Sequence, residues 1–273
     1  MKIPQFTKKE DLFMFLKKHK HDLIASKKFS IKEADSIFHT VGLACEKGDV
    51  IKEEVIKSAN IDNIRAKVVI NTTNLLDSHG DVHMPGIWNK SIKESKNLYL
   101  LQEHKMQFDK VIADTAKASI KSYTWLELGY PEYSGQTQAL VFDAEIKSAR
   151  NDYMFNQYLN GYVKNHSVGM QYVNLFLCMN SDDKYYKEEK DNWDKYINEV
   201  ANKQDAIDAG HFWAVTEAKI IEGSAVVKGS NYATPTISIT EAGKSTSETT
   251  EPPEGTQAKV NYTYITNNFN LNS

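Results

Sequence analysis

The stretch NDYMFNQYLNGYVKNHSVGMQYVNLFLCM, residues 151–179, changes its hydrophobic period within a single run of chain. Its first half places Tyr153, Met154 and Tyr158 at helical spacing, which predicts a helix. Its second half, from Ser167 onward, is rich in aliphatic and aromatic residues and predicts a strand. The stretch therefore predicts a helix that leads directly into a strand, with Ser167 at the junction.

Further β-rich segments lie on both sides of this stretch. They are IRAKVVINTT (64–73), NLYLLQEH (97–104), VIADTAKASIKSYTW (111–125), QALVFDAEI (138–146) and HFWAVTEAKIIEGSAVV (211–227). In the first of them, Ala66, Val68 and Ile70 occupy alternate positions, as on one face of a strand. The segments lack the repeated strand–helix alternation of a parallel α/β sheet. The pattern predicts an α+β protein with a sheet or barrel and inserted helices.

The two ends of the chain differ in composition from its middle. Residues 8–26 carry leucines at helical spacing among lysines, and SIKEADSIFHTVG, residues 30–42, is typical of a second helix. We therefore assign residues 1–60 to a helical N-terminal extension that is expected to lie outside the catalytic core. Residues 61–240 form the predicted folded domain. The remainder, 241–273, begins with a segment rich in Ser, Thr, Glu and Pro, which predicts a disordered linker and tail that is readily cleaved.

A charged segment, residues 181–210, separates the last two long β-rich segments. Trp193, Ile197 and Val200 recur there at roughly helical spacing. The pattern predicts a long amphipathic helix that packs on the sheet or binds a partner.

Composition excludes several classes of protein. The 273 residues carry 33 Lys and Arg against 36 Asp and Glu, a net charge of −3, so binding to nucleic acid is not expected. The two cysteines, Cys45 and Cys178, are too few for a disulfide framework or a thiolate metal site, which favours a reducing cytoplasm. The sequence has neither a signal-peptide pattern nor an apolar run of about 20 residues, so we expect no membrane association.

Ser167 is a candidate nucleophile, with an ordinary polar residue at a strand edge as the alternative. A serine hydroxyl needs a positioned base to take its proton. His104 ends a β-rich segment about 60 residues before Ser167, a separation that allows the two to lie on neighbouring strands. An α/β-hydrolase nucleophile elbow needs glycine two residues before and two after the serine. Gly169 is present but Asn165 occupies the earlier position, so that fold is not expected.

The segment HGDVH, residues 79–83, contains two histidines four positions apart. A zinc pair of this spacing needs a continuous helix, whereas Gly80 and Pro85 favour a turn, and the glutamate of the helical metalloprotease motif is absent. We predict a polar loop here. A metal-dependent hydrolase centred on His79 and His83 is the less favoured alternative.

Four segments, in order, resemble the prohead serine proteases of tailed bacteriophages, a family that shares its fold ancestry with the herpesvirus maturational protease. They are LLDSHGDVHMPGIWNKSIKE (75–94), LYLLQEHK (98–105), VKNHSVGMQY (163–172) and IIEGSAVVKGSNYATP (220–235). The resemblance covers about residues 64–240. The positions that match the family's motifs are Gly80, Asp81, Val82, Pro85, Gly86, His104, Ser167, Gly169, Glu222, Ser224, Asn231 and Ala233.

The resemblance implies Ser167 as nucleophile, His104 as general base and Glu222 as the third catalytic residue, with no metal and no cofactor. Two departures concern the region after the serine. Gly229 and Ser230 stand where the family has a proline before the asparagine, and the charged helix of residues 183–200 lengthens the chain before Glu222. Because herpesvirus relatives use a second histidine as third residue, three further candidates stay open, namely Glu217, His211 and His166.

The implied fold is a compact β-barrel core of the herpesvirus-protease type surrounded by helices. The implied function is that of a serine endopeptidase that processes scaffolding protein, major capsid protein and itself during prohead maturation. It would act inside the viral prohead in the host cytoplasm and would self-associate. The alternative is a catalytically inactive capsid-assembly or scaffold-associated protein with the same fold.

Overall fold

The computed structural model describes residues 3–30 and 61–242. Most of the second predicted N-terminal helix and of the predicted tail lies outside these described residues. No helix within them is both long and apolar enough to cross a membrane.

The described chain combines eight strands with six α-helices, which confirms the predicted α+β class. The strands are β1 (Asn63–Thr72), β2 (Asp81–His83), β3 (Leu98–Gln102), β4 (Val111–Thr124), β5 (Gln136–Lys147), β6 (Asn165–Met179), β7 (His211–Val226) and β8 (Thr236–Glu241). The helices are α1 (Lys9–Lys18), α2 (Lys20–Phe29), α3 (Asn89–Glu94), α4 (Asp152–Leu159), α5 (Lys187–Tyr196) and α6 (Lys203–Ala209).

The strands form one mixed sheet in the order β2-β7-β3-β4-β5-β1-β8, with β6 paired to β7 as well. β2 and β3 run parallel to β7, whereas the other ladders are antiparallel. Within residues 61–242 these ladders describe a large open sheet and no barrel closure is detected, so the expected herpesvirus-type barrel is not confirmed.

The segment that carries Ser167 folds as its sequence predicts. The side chain of Asn151 caps α4 by accepting a hydrogen bond from the backbone N–H of Met154 at 3.1 Å. After the helix, Gly161 adopts a φ of 68°, a left-handed conformation that glycine tolerates without steric cost. The chain then enters β6, the strand that contains Ser167.

The polar loop predicted over residues 79–83 is wrong in part, because Asp81–His83 form the buried strand β2. The strand pairs in parallel with β7, where Asp81 lies opposite Trp213. The Asp81 carboxylate is compensated by an ion pair with Lys27 and a 2.8 Å hydrogen bond from the Tyr172 hydroxyl. A three-residue strand with buried polar ends has no periodicity to identify it in the sequence.

The helix predicted over residues 8–26 is two helices, α1 and α2, which meet at His19. The helix predicted in the charged segment 181–210 is likewise interrupted, because it ends at Tyr196 and resumes only as α6. Trp193 and Tyr196 are buried, so α5 packs on the sheet, one of the two expected arrangements.

The N-terminal helices pack against the main core, which differs from the separate extension expected from the sequence. Phe13, Leu16 and Leu23 belong to the same buried cluster as the central strands. Lys17 and Lys20 contact the fully buried carboxylate of Glu189 at 2.8 and 2.7 Å. A buried carboxylate must be paired to be tolerated, so these lysines fix where the helices dock.

We expect Leu16→Ala to lower the free energy of unfolding by about 2–5 kcal/mol, because it opens a cavity at a fully buried position. Met14→Ala is the matched control, since Met14 lies on the same helix and is 59% exposed. Urea denaturation followed by circular dichroism measures both. Equal, small effects would contradict the packing of α1 into the core.

Candidate active site

The pairing of β6 with β7 brings four matched residues onto one face of the sheet. Ser167 lies directly opposite Ser224, and Gly169 lies opposite Glu222. Opposed residues of an antiparallel pair have Cα atoms about 4.5–5.5 Å apart and project to the same side. The predicted nucleophile and the predicted carboxylate therefore face the same space from adjacent strands.

His104 reaches this face from the end of β3, which pairs with the same part of β7 as β6 does. Strand β3 runs parallel to β7, with Gln102 opposite Ala225, and the next backbone N–H, that of Glu103, donates to Ala225 O at 2.9 Å. Glu103 and His104 then adopt φ angles of 50° and 57°. Two consecutive non-glycine residues in the left-handed region form a strained turn, of the kind that is common at functional sites. This turn directs the imidazole of His104 towards β7.

The imidazole of His104 contacts the carboxylate of Glu222. The distance from Nδ1 to Oε1 is 2.6 Å, and the two side chains are only 5% and 4% exposed. A carboxylate that accepts this hydrogen bond takes it from an Nδ1–H group, and in the tautomer with its proton on Nδ1 the Nε2 atom keeps its lone pair. This is the tautomer that a general base requires.

Ser224 completes a ring of hydrogen bonds with these two residues. Its hydroxyl donates to Glu222 Oε2 at 2.6 Å. Its oxygen accepts from the backbone N–H of His104 at 3.0 Å. Both carboxylate oxygens of Glu222 are thus used inside the site.

The Nε2 atom of His104 is buried and has no hydrogen-bond partner among the described residues. A bond from Ser167 to His104 is accordingly not formed in this structure. Ser167 itself is 7% exposed. Hydrogen bonds between catalytic groups are often long without substrate and tighten when it binds.

Gly169 explains how a carboxylate fits beside β6. A Cβ atom at this position would overlap the Oε1 atom of Glu222 and approach its Cδ atom to 2.8 Å. The glycine is needed for this close approach and not for its backbone conformation. The glycine two positions after Ser167 therefore has a local steric reason.

A small cleft lies beside Ser167. Its lining includes His79, Val168, Met170, Ser230 and Asn231. The segment of residues 229–231 forms the near wall, because a Cβ atom on Gly229 would lie 3.8 Å from the Cβ atom of Ser167. The Asn231 amide holds this wall in place by donating to Thr72 O at 2.8 Å.

Two of the alternative third residues, Glu217 and His211, lie elsewhere. Glu217 forms an ion pair with Lys90 at 3.3 Å and accepts from Asn174 at 2.9 Å. His211 is at the start of β7, where its Nδ1 atom lies 3.2 Å from Ala209 O. Neither is bonded to a ring nitrogen of His104.

His166 precedes Ser167 on β6 and points away from the site. Its ring is fully buried between the Tyr158 hydroxyl, 3.0 Å from Nε2, and Thr234 O, 3.1 Å from Nδ1. Burial lowers the pKa of His166 to about 4, so its ring is neutral near pH 7. Its role is structural, because both ring nitrogens are occupied by partners outside the site.

The two histidines of HGDVH have different surroundings. His83 is buried, with Nδ1 2.9 Å from the Asn71 amide nitrogen and Nε2 3.2 Å from the Tyr172 hydroxyl. His79 lies in the cleft of Ser167 instead. The residues described contain no group of three or more potential ligands suited to a metal ion.

Comparisons with models of protein families, with curated proteins and with solved structures found no match.

Proposed function

We propose that this protein is a serine endopeptidase in which Ser167, His104 and Glu222 form the catalytic triad. The observation that carries the proposal is the 2.6 Å contact between His104 Nδ1 and Glu222 Oε1, on the face of the sheet that also bears Ser167. Nucleophile, base and orienting carboxylate come from three adjacent strands or their ends, as the roles require.

In the proposed mechanism, Ser167 Oγ attacks the carbonyl carbon of the scissile peptide and its proton passes to His104 Nε2. Glu222 stabilises the imidazolium that forms. His104 then gives the proton to the leaving amine, and an acyl-enzyme results. Water attacks this ester with His104 again as base, which releases the acid and restores Ser167.

The negative charge on the tetrahedral intermediate needs donors in the cleft beside Ser167. We assign this role to backbone N–H groups of residues 229–231, since this segment is the wall nearest the nucleophile. Gly229 has no side chain to obstruct a bound oxygen.

We also propose that the core belongs to the herpesvirus-protease type of β-barrel. Support comes from the segment of residues 234–236, which lies between β6 and β1. Thr234 O accepts from the His166 N–H at 3.1 Å, and Pro235 O accepts from the Val69 N–H at 2.9 Å. These two bonds link strands that are distant in the order of the sheet.

The proposed biological role is maturation of a phage prohead. It rests on the order of the sequence motifs and on their resemblance to the prohead proteases. The substrates would be scaffolding protein, major capsid protein and the chain itself, cleaved inside the prohead in the host cytoplasm by a self-associating enzyme. The absent bond between Ser167 and His104 favours one competing function, that of an inactive capsid-assembly or scaffold-associated protein.

Labelling with a serine-directed fluorophosphonate separates the two functions. We expect one adduct on Ser167, mapped by peptide mass spectrometry, because only an activated serine reacts at an appreciable rate. Ser167→Ala should carry no adduct. An unlabelled wild-type protein, or equal labelling of several serines, would contradict the protease and favour the inactive function.

A further inference from the structure

Ser224 is a fully buried residue for which the proposed mechanism has no step. It lies on β7 directly opposite the nucleophile and two positions from Glu222. Its hydroxyl has one proton to donate and lone pairs to accept. The hydroxyl donates to the Glu222 carboxylate, and its oxygen accepts the backbone N–H of His104.

The contact with the backbone of His104 acts on a strained turn. Glu103 and His104 both have positive φ angles, which cost free energy for residues with side chains. A buried backbone N–H also needs an acceptor. Ser224 Oγ provides it at 3.0 Å and so ties the turn to β7.

The contact with Glu222 fixes the plane of the carboxylate. With Oε2 held by Ser224 at 2.6 Å, Oε1 is left facing His104 Nδ1 at the same distance. Gly169 lies on the other side of the carboxylate, where a Cβ atom would overlap Glu222 Oε1. Rotation of the carboxylate would break at least one of these bonds.

We propose that Ser224 is the positioning residue of this site. It orients Glu222 and the His104 turn together, so that the imidazole is held against the carboxylate. This inference rests on the proposed serine endopeptidase function. Ser224 is thus a fourth residue beside the proposed triad. It acts through Glu222 and His104 and does not contact the substrate.

The test is Ser224→Ala in the full chain, assayed on a peptide substrate. We expect kcat to fall roughly 10- to 100-fold with KM little changed. A loss of activity of about this size is typical when a hydrogen-bond partner that orients a metal-bound histidine is removed. The pH profile of kcat/KM should change as well, because Glu222 loses the donor that holds its Oε2 atom. Ser224→Thr, which keeps the hydroxyl, should restore most of kcat.

Ser91→Ala is the matched control. Ser91 is also buried, and its hydroxyl oxygen accepts the backbone N–H of Ile220 at 2.8 Å, but among the described residues no hydrogen bond joins its side chain to Ser167, His104 or Glu222. Ser91→Ala should lower the free energy of unfolding about as much as Ser224→Ala does, but it should leave kcat and the pH profile unchanged. If Ser224→Ala does not fold, Ser224→Cys keeps most of the volume with a weak donor and should show the same kinetic changes.

A second readout does not depend on turnover. A short hydrogen bond from an imidazole N–H to a carboxylate gives a low-field proton NMR resonance, which we expect for His104 in the wild type. It should shift or disappear in Ser224→Ala and persist in Ser91→Ala. An unchanged resonance together with unchanged kcat and pH profile would overturn the inference. A wild type that neither cleaves nor labels, yet shows the Ser224-dependent resonance, would overturn the protease proposal while supporting the positioning contact.

Discussion

Ser167→Ala and His104→Ala are each expected to abolish peptide cleavage, with kcat lowered on the order of a million-fold. In the proposed triad the nucleophile and its base act as one unit, so losing either removes the activated hydroxyl. The two single variants and the double variant should then have nearly the same residual activity. Cleavage of a fluorogenic peptide by purified protein measures all three.

His104→Ala also removes the histidine partner of the buried Glu222 carboxylate, which keeps its hydrogen bond from Ser224, and is expected to reduce stability. His104→Gln is therefore a useful second variant, and circular dichroism checks that each protein is folded. Ser122→Ala, an exposed serine on β4, is the control for the substitution itself. Near wild-type cleavage by a folded Ser167→Ala protein would show that Ser167 is not the nucleophile.

The second large effect concerns the position of the Glu222 carboxylate. Glu222→Gln is expected to lower kcat on the order of 10⁴-fold with little change in KM, because the carboxylate acts mainly when the imidazolium forms. Gly169→Ala should have a similar effect without removing any catalytic group. Its Cβ atom would occupy the space of Glu222 Oε1 and push the carboxylate away from His104.

Glu217→Gln is the matched control, because Glu217 lies on the same strand in an ion pair with Lys90. It should leave kcat unchanged, as should His211→Ala. A large loss of kcat in His211→Ala with a small loss in Glu222→Gln would indicate a Ser-His-His arrangement, as in the herpesvirus maturational protease. A fully active, folded Gly169→Ala would show that the observed placement of Glu222 is not needed for catalysis.

Most secondary structure could be predicted from the sequence, because periodicity is a local property. Ala66, Val68 and Ile70 are buried in β1 as their alternation indicates, and α4 leads into β6 where the change of period lies. The short strand β2 was missed. Its three residues form a strand only because β7, about 130 residues later in the chain, pairs with them.

The sequence also supplied the candidate residues, since a serine, a histidine and a carboxylate in the family's order are visible without a structure. The resemblance favoured Glu222 as the third residue, but the sequence left Glu217, His211 and His166 open, because residue type does not encode distance. The contact of His104 with Glu222 required the parallel pairing of β3 with β7 and the left-handed turn at His104.

The sequence alone thus determined the α+β class, the junction at Ser167 and the set of candidate residues for the proposed triad. Only the tertiary structure decided which carboxylate meets the histidine, that Ser224 joins them, and that the N-terminal helices dock through Lys17 and Lys20 on Glu189. The physical reason is the range of the interactions. Side-chain periodicity is set by neighbours a few residues apart, whereas strand pairing and buried charge compensation depend on residues that folding brings together from distant parts of the chain.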